Sequence, residues 1–322
     1  MEYKNKFFVQ NCEITSPYFI SDDCSKLLIA SDIHFQPSVN KELFLLLIKY
    51  AQEVKPDYIL MPGDMIETMS FLDYSSEKDF FENIIRSLAE ICPVIMIPGN
   101  HEISDFSPSN FKNRLSNDNT NLSALKYFDS LNKIKNVYFL NNESISFGKT
   151  TFFGFNPKLN SYQKINDDKV IDDFIEDYIK TGFNMAKDCY NILLTHSPLQ
   201  IVDGKVLSAI PDFKNVTDLV VSGHLHDGYL PKIMDKKYKN TNVGLFFTPL
   251  VFPTPGILCR GIHDFGRGYL FISQGFRKWT ADIKLLNAFE KITANDVEEL
   301  LIKKSDFLNN SELYEYKPFV KK

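Results

Sequence analysis

Three short aliphatic runs in the first hundred residues each break off at a polar cluster. The runs cover residues 26–31, 58–61 and 93–97, and they end at Asp32, at Gly63-Asp64 and at Gly99-Asn100-His101-Glu102. Between the first two, Leu43, Phe44, Leu47, Ile48 and Ala51 recur at helical spacing after Asn40, a candidate N-cap. Between the second and third, Phe80, Phe81, Ile84, Ile85 and Leu88 do the same after Ser75-Ser76. Buried strands alternating with amphipathic helices predict right-handed crossovers and a parallel sheet. Such a sheet binds its ligand beyond the carboxyl ends of its strands. All three polar clusters fall at those ends.

The second half of the chain reads differently. Residues 104–121 are polar and Asn-rich and predict a long loop, followed by a short helix over 123–134. Strand-like runs over 137–155, turning at Phe147-Gly148-Lys149, predict a second and more antiparallel portion. Val170, Ile171, Phe174, Ile175, Tyr178 and Ile179 line one helical face. Two more strands, 190–194 and 219–222, end at Thr195-His196 and at Gly223-His224-Leu225-His226, and 269–273 reads as a last strand. From Trp279 onward the spacing predicts helix, with Leu285, Leu286, Phe289 and Ile292 in one stripe and a second run over 297–302. The expected organisation is a domain over 1–278 with a C-terminal helical extension over 279–322.

Composition excludes several classes. With 322 residues, 44% hydrophobic and 24% charged, the chain can bury a sizeable core. A net charge of -5 provides no global positive field for nucleic acid or anionic lipid. The five cysteines are scattered, with no C-x-x-C pair, and predict reduced thiols in a cytoplasmic setting. The apolar run at 7–9 is too short for a signal peptide, and no stretch is long enough to span a bilayer. Residues 242–259 are uncharged but carry Pro249, Pro253 and Pro255, which exclude a simple membrane helix. Three readings remain for them: a core loop, an apolar pocket wall, or a peripheral membrane contact.

Five of the six histidines, His34, His101, His196, His224 and His226, lie in the strand-end clusters. Carboxylates, imidazoles and one carboxamide delivered to one sheet edge are the parts of a two-metal hydrolytic centre. Asp64 suits the bridge between ions, since Gly63 lets the backbone crowd the site. Asp32 and His34 can face one ion together, His224 and His226 can reach one each, and Asn100 and His196 complete the donors. Nitrogen and oxygen donors without sulfur fit Mn, Fe, Zn, Co or Ni better than Ca. His101, beside a ligand but not needed as one, suits proton transfer to a leaving oxygen, with Glu102 orienting it. The sixth histidine, His263, pairs with Asp264 or touches substrate, in which case Arg260 or Arg267 would hold a phosphate.

In this order and after strands, D-x-H, G-D, G-N-H-E, H and G-H-x-H resemble the calcineurin-like metallophosphoesterase superfamily. The resemblance implies a four-layer α/β/β/α sandwich of two mixed sheets. It implies Asp32, His34 and His226 on one ion, Asn100, His196 and His224 on the second, Asp64 bridging, and His101 as the catalytic histidine. Glu67 stands where many members carry aspartate, and Asp64 lacks the Asp-Arg-Gly continuation of the protein phosphatases. Asp227-Gly228 stands where a small bacterial branch often has Gly-Gly, and the usual N-terminal membrane helix of that branch is missing. The expected activity is hydrolysis of a phosphodiester, pyrophosphate or phosphomonoester by a hydroxide bridging two divalent ions. The expected substrate is a small molecule or a lipid headgroup, and no obligate protein partner is indicated. A metal-dependent nuclease is the alternative activity, and a non-catalytic metal-binding scaffold is the alternative of another class.

Overall fold

The computed structural model describes residues 6–20, 24–35, 41–68, 74–104, 122–162, 167–198, 204–226, 260–276 and 295–320. The expected alternation is present. β2 (Ser25–Ile29), β3 (Tyr58–Pro62), β4 (Val94–Ile97) and β5 (Val137–Phe139) are parallel neighbours. α1 (Lys41–Val54) and α2 (Ser75–Ala89) form the connections between β2 and β4. Side-chain alternation in these strands feeds two cores. Leu28, Ile59, Met61, Val94 and Met96 face the helices, while Leu27, Ile29, Leu60, Ile95 and Ile97 face the other sheet. Burial on both faces explains why the strands read as unbroken aliphatic runs.

The second sheet has the order β10-β11-β9-β8-β7-β6. Its members are β6 (Glu143–Phe147), β7 (Thr150–Phe155), β8 (Tyr190–Thr195), β9 (Thr217–Ser222), β10 (Gly261–Asp264) and β11 (Tyr269–Ile272). The four inner strands are parallel, and the edges β6 and β10 are antiparallel to their neighbours. Its outer face packs on α5 (Asp168–Thr181), α6 (Gly204–Ala209) and α7 (Pro211–Asn215) through Phe174, Tyr178, Val206 and Phe213. Asp167 caps α5 by accepting from Lys169 N, and Gly182 ends it in the left-handed conformation. The result is helix, sheet, sheet, helix: an α/β/β/α sandwich.

The C-terminal helical expectation is corrected where the chain is described. Residues 295–304 are strand β12 and residues 309–320 are strand β13 (Asn309–Val320). With β1 (Lys6–Ser16) they extend the first sheet to the order β13-β1-β12-β2-β3-β4-β5. β12 (Asn295–Lys304) lies between β1 and β2, parallel to the first and antiparallel to the second. The stripe at Leu285 to Ile292, the loop expected at 104–121 beyond Ser104, and the apolar segment 242–259 lie outside the described residues. Among the described residues no helix is long and apolar enough to cross a membrane.

Candidate metal centre

The carboxyl ends of the two sheets meet. β2 delivers Asp32 and His34, β3 delivers Asp64, and β4 runs into α3 (Asn100–Ile103), which starts with Asn100 and His101. β8 delivers His196, and β9 delivers His224 and His226. Backbone bonds continue each sheet past its strand ends, and a side-chain bond from the first sheet reaches the second. Asp32 N donates to Gly63 O (3.1 Å), His34 N to Asp64 O (2.9 Å) and Gly223 N to His196 O (3.1 Å). His224 N donates to the Asp32 carboxylate at 3.0 Å.

The turns are strained where they present side chains. Among the described residues, eight that are not glycine have positive φ, and five of them are Asp32, His34, Asp64, His224 and His226, with φ between 46 and 74°. Left-handed backbone at such residues costs roughly 1–3 kcal/mol each and persists where the surroundings enforce it, typically at functional sites.

Two groups of donors share one carboxylate. Asp32, His34 and His226 bring ligand atoms within 4.8 Å of one another, and so do Asp64, His196 and His224. His226 Nε2 is 3.2 Å from Asp32 Oδ1 and 3.1 Å from His34 Nε2. Asp64 Oδ2 is 3.0 Å from His196 Nε2, 3.7 Å from His34 Nε2 and 3.9 Å from His101 Nε2. Asp64 therefore lies beside both groups and His101, and Asp32 Oδ1 lies 3.8 Å from His196 Nε2.

Three of the histidines commit one ring nitrogen to a backbone carbonyl outside the cluster. His196 Nδ1 donates to Pro62 O (2.6 Å), His224 Nε2 to Tyr162 O (3.1 Å) and His101 Nδ1 to Glu67 O (2.6 Å). The other nitrogen is thereby fixed as the lone pair offered inward. The donor set fits divalent cations. Asn100 Oδ1 is buried without a hydrogen-bond partner, and His196 Nε2 approaches Asp64 without hydrogen-bond alignment. A cation among these atoms satisfies them together.

Close packing leaves no spare room. A Cβ on Gly63 would lie 2.5 Å from His196 Nδ1, and Gly63 has φ +89°. Gly63→Ala should therefore destabilise the metal-free protein by about 1–3 kcal/mol through overpacking and backbone strain. Urea denaturation checks this, and an unchanged midpoint would show that the loop yields without cost.

Electrostatics follow from burial and crowding. Burial opposes a charge on His196, but Asp64 and Asp32 outweigh it and raise its pKa from 6.5 to about 9. Burial and the neighbouring His196 push His224 down to about 4. Burial opposes ionisation of Asp64, yet His196 and His101 hold its carboxyl well below the usual range. The raised pKa of His196 stabilises the metal-free fold below about 6.5, and this contribution is lost as pH rises through about 9. Metal binding requires neutral imidazole. Between those pH values the metal-free melting temperature should fall while metal affinity rises. Thermal melts and metal titrations at stepped pH test the pair of trends, and an affinity that stayed flat would exclude His196 as a ligand.

Other residues sit elsewhere than the sequence suggested. Glu102 does not orient His101. Its carboxylate accepts from Gly99 N (2.7 Å), Asp64 N (2.9 Å) and Ile66 N (2.9 Å), fastening the Asp64 loop to the start of α3. Burial and the neighbouring Asp64 carboxylate raise the Glu102 pKa to about 7. Arg267 is not brought to the centre. At the amino end of β11 it pairs with Asp218 (2.8 Å) and stacks over Tyr18 (3.2 Å to the ring centroid). His263 lies within β10, and its Nε2 donates to Arg260 O at 2.7 Å. Arg260, fully buried, precedes Gly261 at the carboxyl edge. Tyr162, whose carbonyl holds His224 and whose ring meets it edge-on at 5.2 Å, carried no sequence signal.

Two facing sheets whose parallel strands end in buried carboxylates and inward-facing imidazoles define a dinuclear metallohydrolase. Residues 25–228 match the calcineurin-like phosphoesterase family. The chain belongs to that family, and its clustered Asp and His donors suit two divalent ions. No curated protein sequence matches it. Similar solved structures include a dimetal phosphatase from Danio rerio, at 12% identity over 78% of this chain and 87% of that one, with TM-score 0.41. A purple acid phosphatase from yellow lupin seeds shows 18% identity over 66% of this chain and 39% of that one, with TM-score 0.39. A 5′-nucleotidase precursor from Thermus thermophilus shows 13% identity over 87% of this chain, with TM-score 0.39, and this chain spans 54% of its length.

Proposed function

We propose that Asp32, His34 and His226 hold one divalent ion, that Asn100, His196 and His224 hold the other, and that Asp64 joins them. One observation carries this reading: the Asp64 carboxylate contacts histidines of both groups within 3.7 Å. Bound divalent ions supply Lewis acidity and an activated water for attack on phosphorus. The rest of the chemistry belongs to His101. With Nδ1 committed to the Glu67 carbonyl, its Nε2 faces the cluster. Its side chain is 13% exposed, against 2% for Asp64 and 4% for His34, so it stands on the open side. There, once Nε2 has taken up a proton and the ring is an imidazolium, it can pass that proton to the departing oxygen while Nδ1–H stays on the Glu67 carbonyl.

The substrate we propose is a small-molecule or lipid-headgroup phosphodiester or pyrophosphate. The net charge of -5 supports a small ligand over a nucleic-acid backbone. The deciding experiment compares aryl phosphate diesters, aryl phosphate monoesters, pyrophosphates and single-stranded DNA with Mn, Fe, Zn, Co or Ni added. Faster turnover of diester or pyrophosphate than of monoester is expected. Preferential cleavage of DNA would replace this reading with a nuclease. Metal binding without hydrolysis of any of the four would point to a scaffold.

A further inference from the structure

His34 and His101 come from different loops, yet both rings are held by one residue. Glu67 Oε2 lies 2.9 Å from His34 Nδ1, in ion-pair contact. The Glu67 carbonyl accepts from His101 Nδ1 at 2.6 Å. The Glu67 N–H donates to Phe35 O (3.0 Å), and Phe35 N donates to Met65 O (2.8 Å). With the parallel bridge between Phe35 and Ile66, these bonds lace the Asp32 and Asp64 loops into one short ladder that ends at Glu67. The two rings then meet edge-on, 4.6 Å between centroids.

We propose that Glu67 is a positioning residue that aims His34 through its carboxylate and His101 through its carbonyl. The proposal rests on the ligand and proton-transfer roles assigned above. An imidazole offers a metal or a substrate only the nitrogen it has not committed elsewhere. With both Nδ1 atoms turned to Glu67, both rings present Nε2 to the cluster. A carboxylate behind a metal-ligating histidine also raises the ligand's basicity, and its loss typically weakens metal affinity by about 10–100-fold. The two links differ in kind. Substitution of the side chain removes the hold on His34, whereas the hold on His101 is backbone and survives.

That asymmetry makes the test specific. Glu67→Ala should weaken one of the two binding steps for Mn²⁺ by about 10–100-fold in calorimetric titration of the metal-free protein. It should also let the His34 ring sample both tautomers in imidazole ¹⁵N spectra, and excess metal should restore the activity lost at low metal. Glu67→Gln keeps an acceptor at the same reach, so it should retain the His34 tautomer with a smaller loss of affinity. Should the alanine variant not fold, the glutamine variant carries the test: a retained tautomer with weakened affinity supports the proposal. Undiminished affinity or a scrambled tautomer in the glutamine variant overturns it. A turnover defect that excess metal cannot restore, at unchanged affinity, also overturns it, since the carboxylate would then act on substrate. The titration and the spectra do not depend on turnover. A protein that hydrolyses no ester therefore overturns the proposed function and leaves this inference standing.

Discussion

Asp64→Asn should abolish phosphoester hydrolysis and leave the protein unable to retain two divalent ions. The carboxylate reaches both donor sets, at 3.0 Å from His196 and 3.7 Å from His34, closer across the two than Asp32, whose Oδ1 is 3.8 Å from His196. Its oxygens also carry load in the fold, because Oδ1 accepts from His101 N at 2.9 Å. The carboxamide is nearly isosteric, so the shape of the loop should survive while the negative charge between two cations does not. Lewis-acid stabilisation is worth several kcal/mol, so an activity loss of about a thousandfold or more is expected. Metal analysis after dialysis and turnover of an aryl phosphate diester measure both effects. Wild-type activity with two bound ions would remove Asp64 from the bridging position.

His101→Ala should separate binding from chemistry. The ring is held by the Glu67 carbonyl and faces Asp64 at 3.9 Å, farther than the 3.0 Å separating His196 from the same carboxylate. Its loss should leave two ions bound and slow turnover by about 10²–10⁴-fold, the usual effect of removing a general acid. The defect should shrink for substrates whose leaving group is already acidic, because such a group departs without a proton. A variant that lost a metal ion instead would make His101 a ligand. A variant whose defect was equal for acidic and basic leaving groups would place its role in charge stabilisation.

The parts of the molecule that sequence made legible share a physical cause. Strands buried on both faces must be aliphatic throughout, and a ligand cluster at a strand end must interrupt that pattern, so Asp32, Asp64, Asn100, His196 and His224 announce themselves. The strained φ values of Asp32, His34 and Asp64 left no mark, because aspartate and histidine, though enriched in left-handed backbone, far more often adopt ordinary conformations. β12 misled for a different reason. Val297, Leu300 and Leu301 recur at helical spacing, and Glu298 occupies a position where an isolated strand would place an apolar residue. Tertiary context decides otherwise. Glu298 is fully buried, accepting from Ser273 Oγ (2.9 Å) and Gln274 N (2.7 Å), while Leu300 and Ile302 enter the core between the sheets. Glu67 was visible only as an unexplained departure, since its effect depends on a loop contact that no spacing encodes.

The position of β12 has a consequence for how the chain is made. Phe7 pairs with Asn295, and Ile29 pairs with Glu298, so the slot between β1 and β2 is filled by a strand synthesised long after both. Until then the nascent chain exposes β2 as a bare edge, and β1 has no partner on either side among the strands already made. Unpaired edges recruit other chains, and pairing across so long a separation is slow. Synthesis therefore passes through an interval in which the donor-bearing strands are complete but the slot between β1 and β2 is still open.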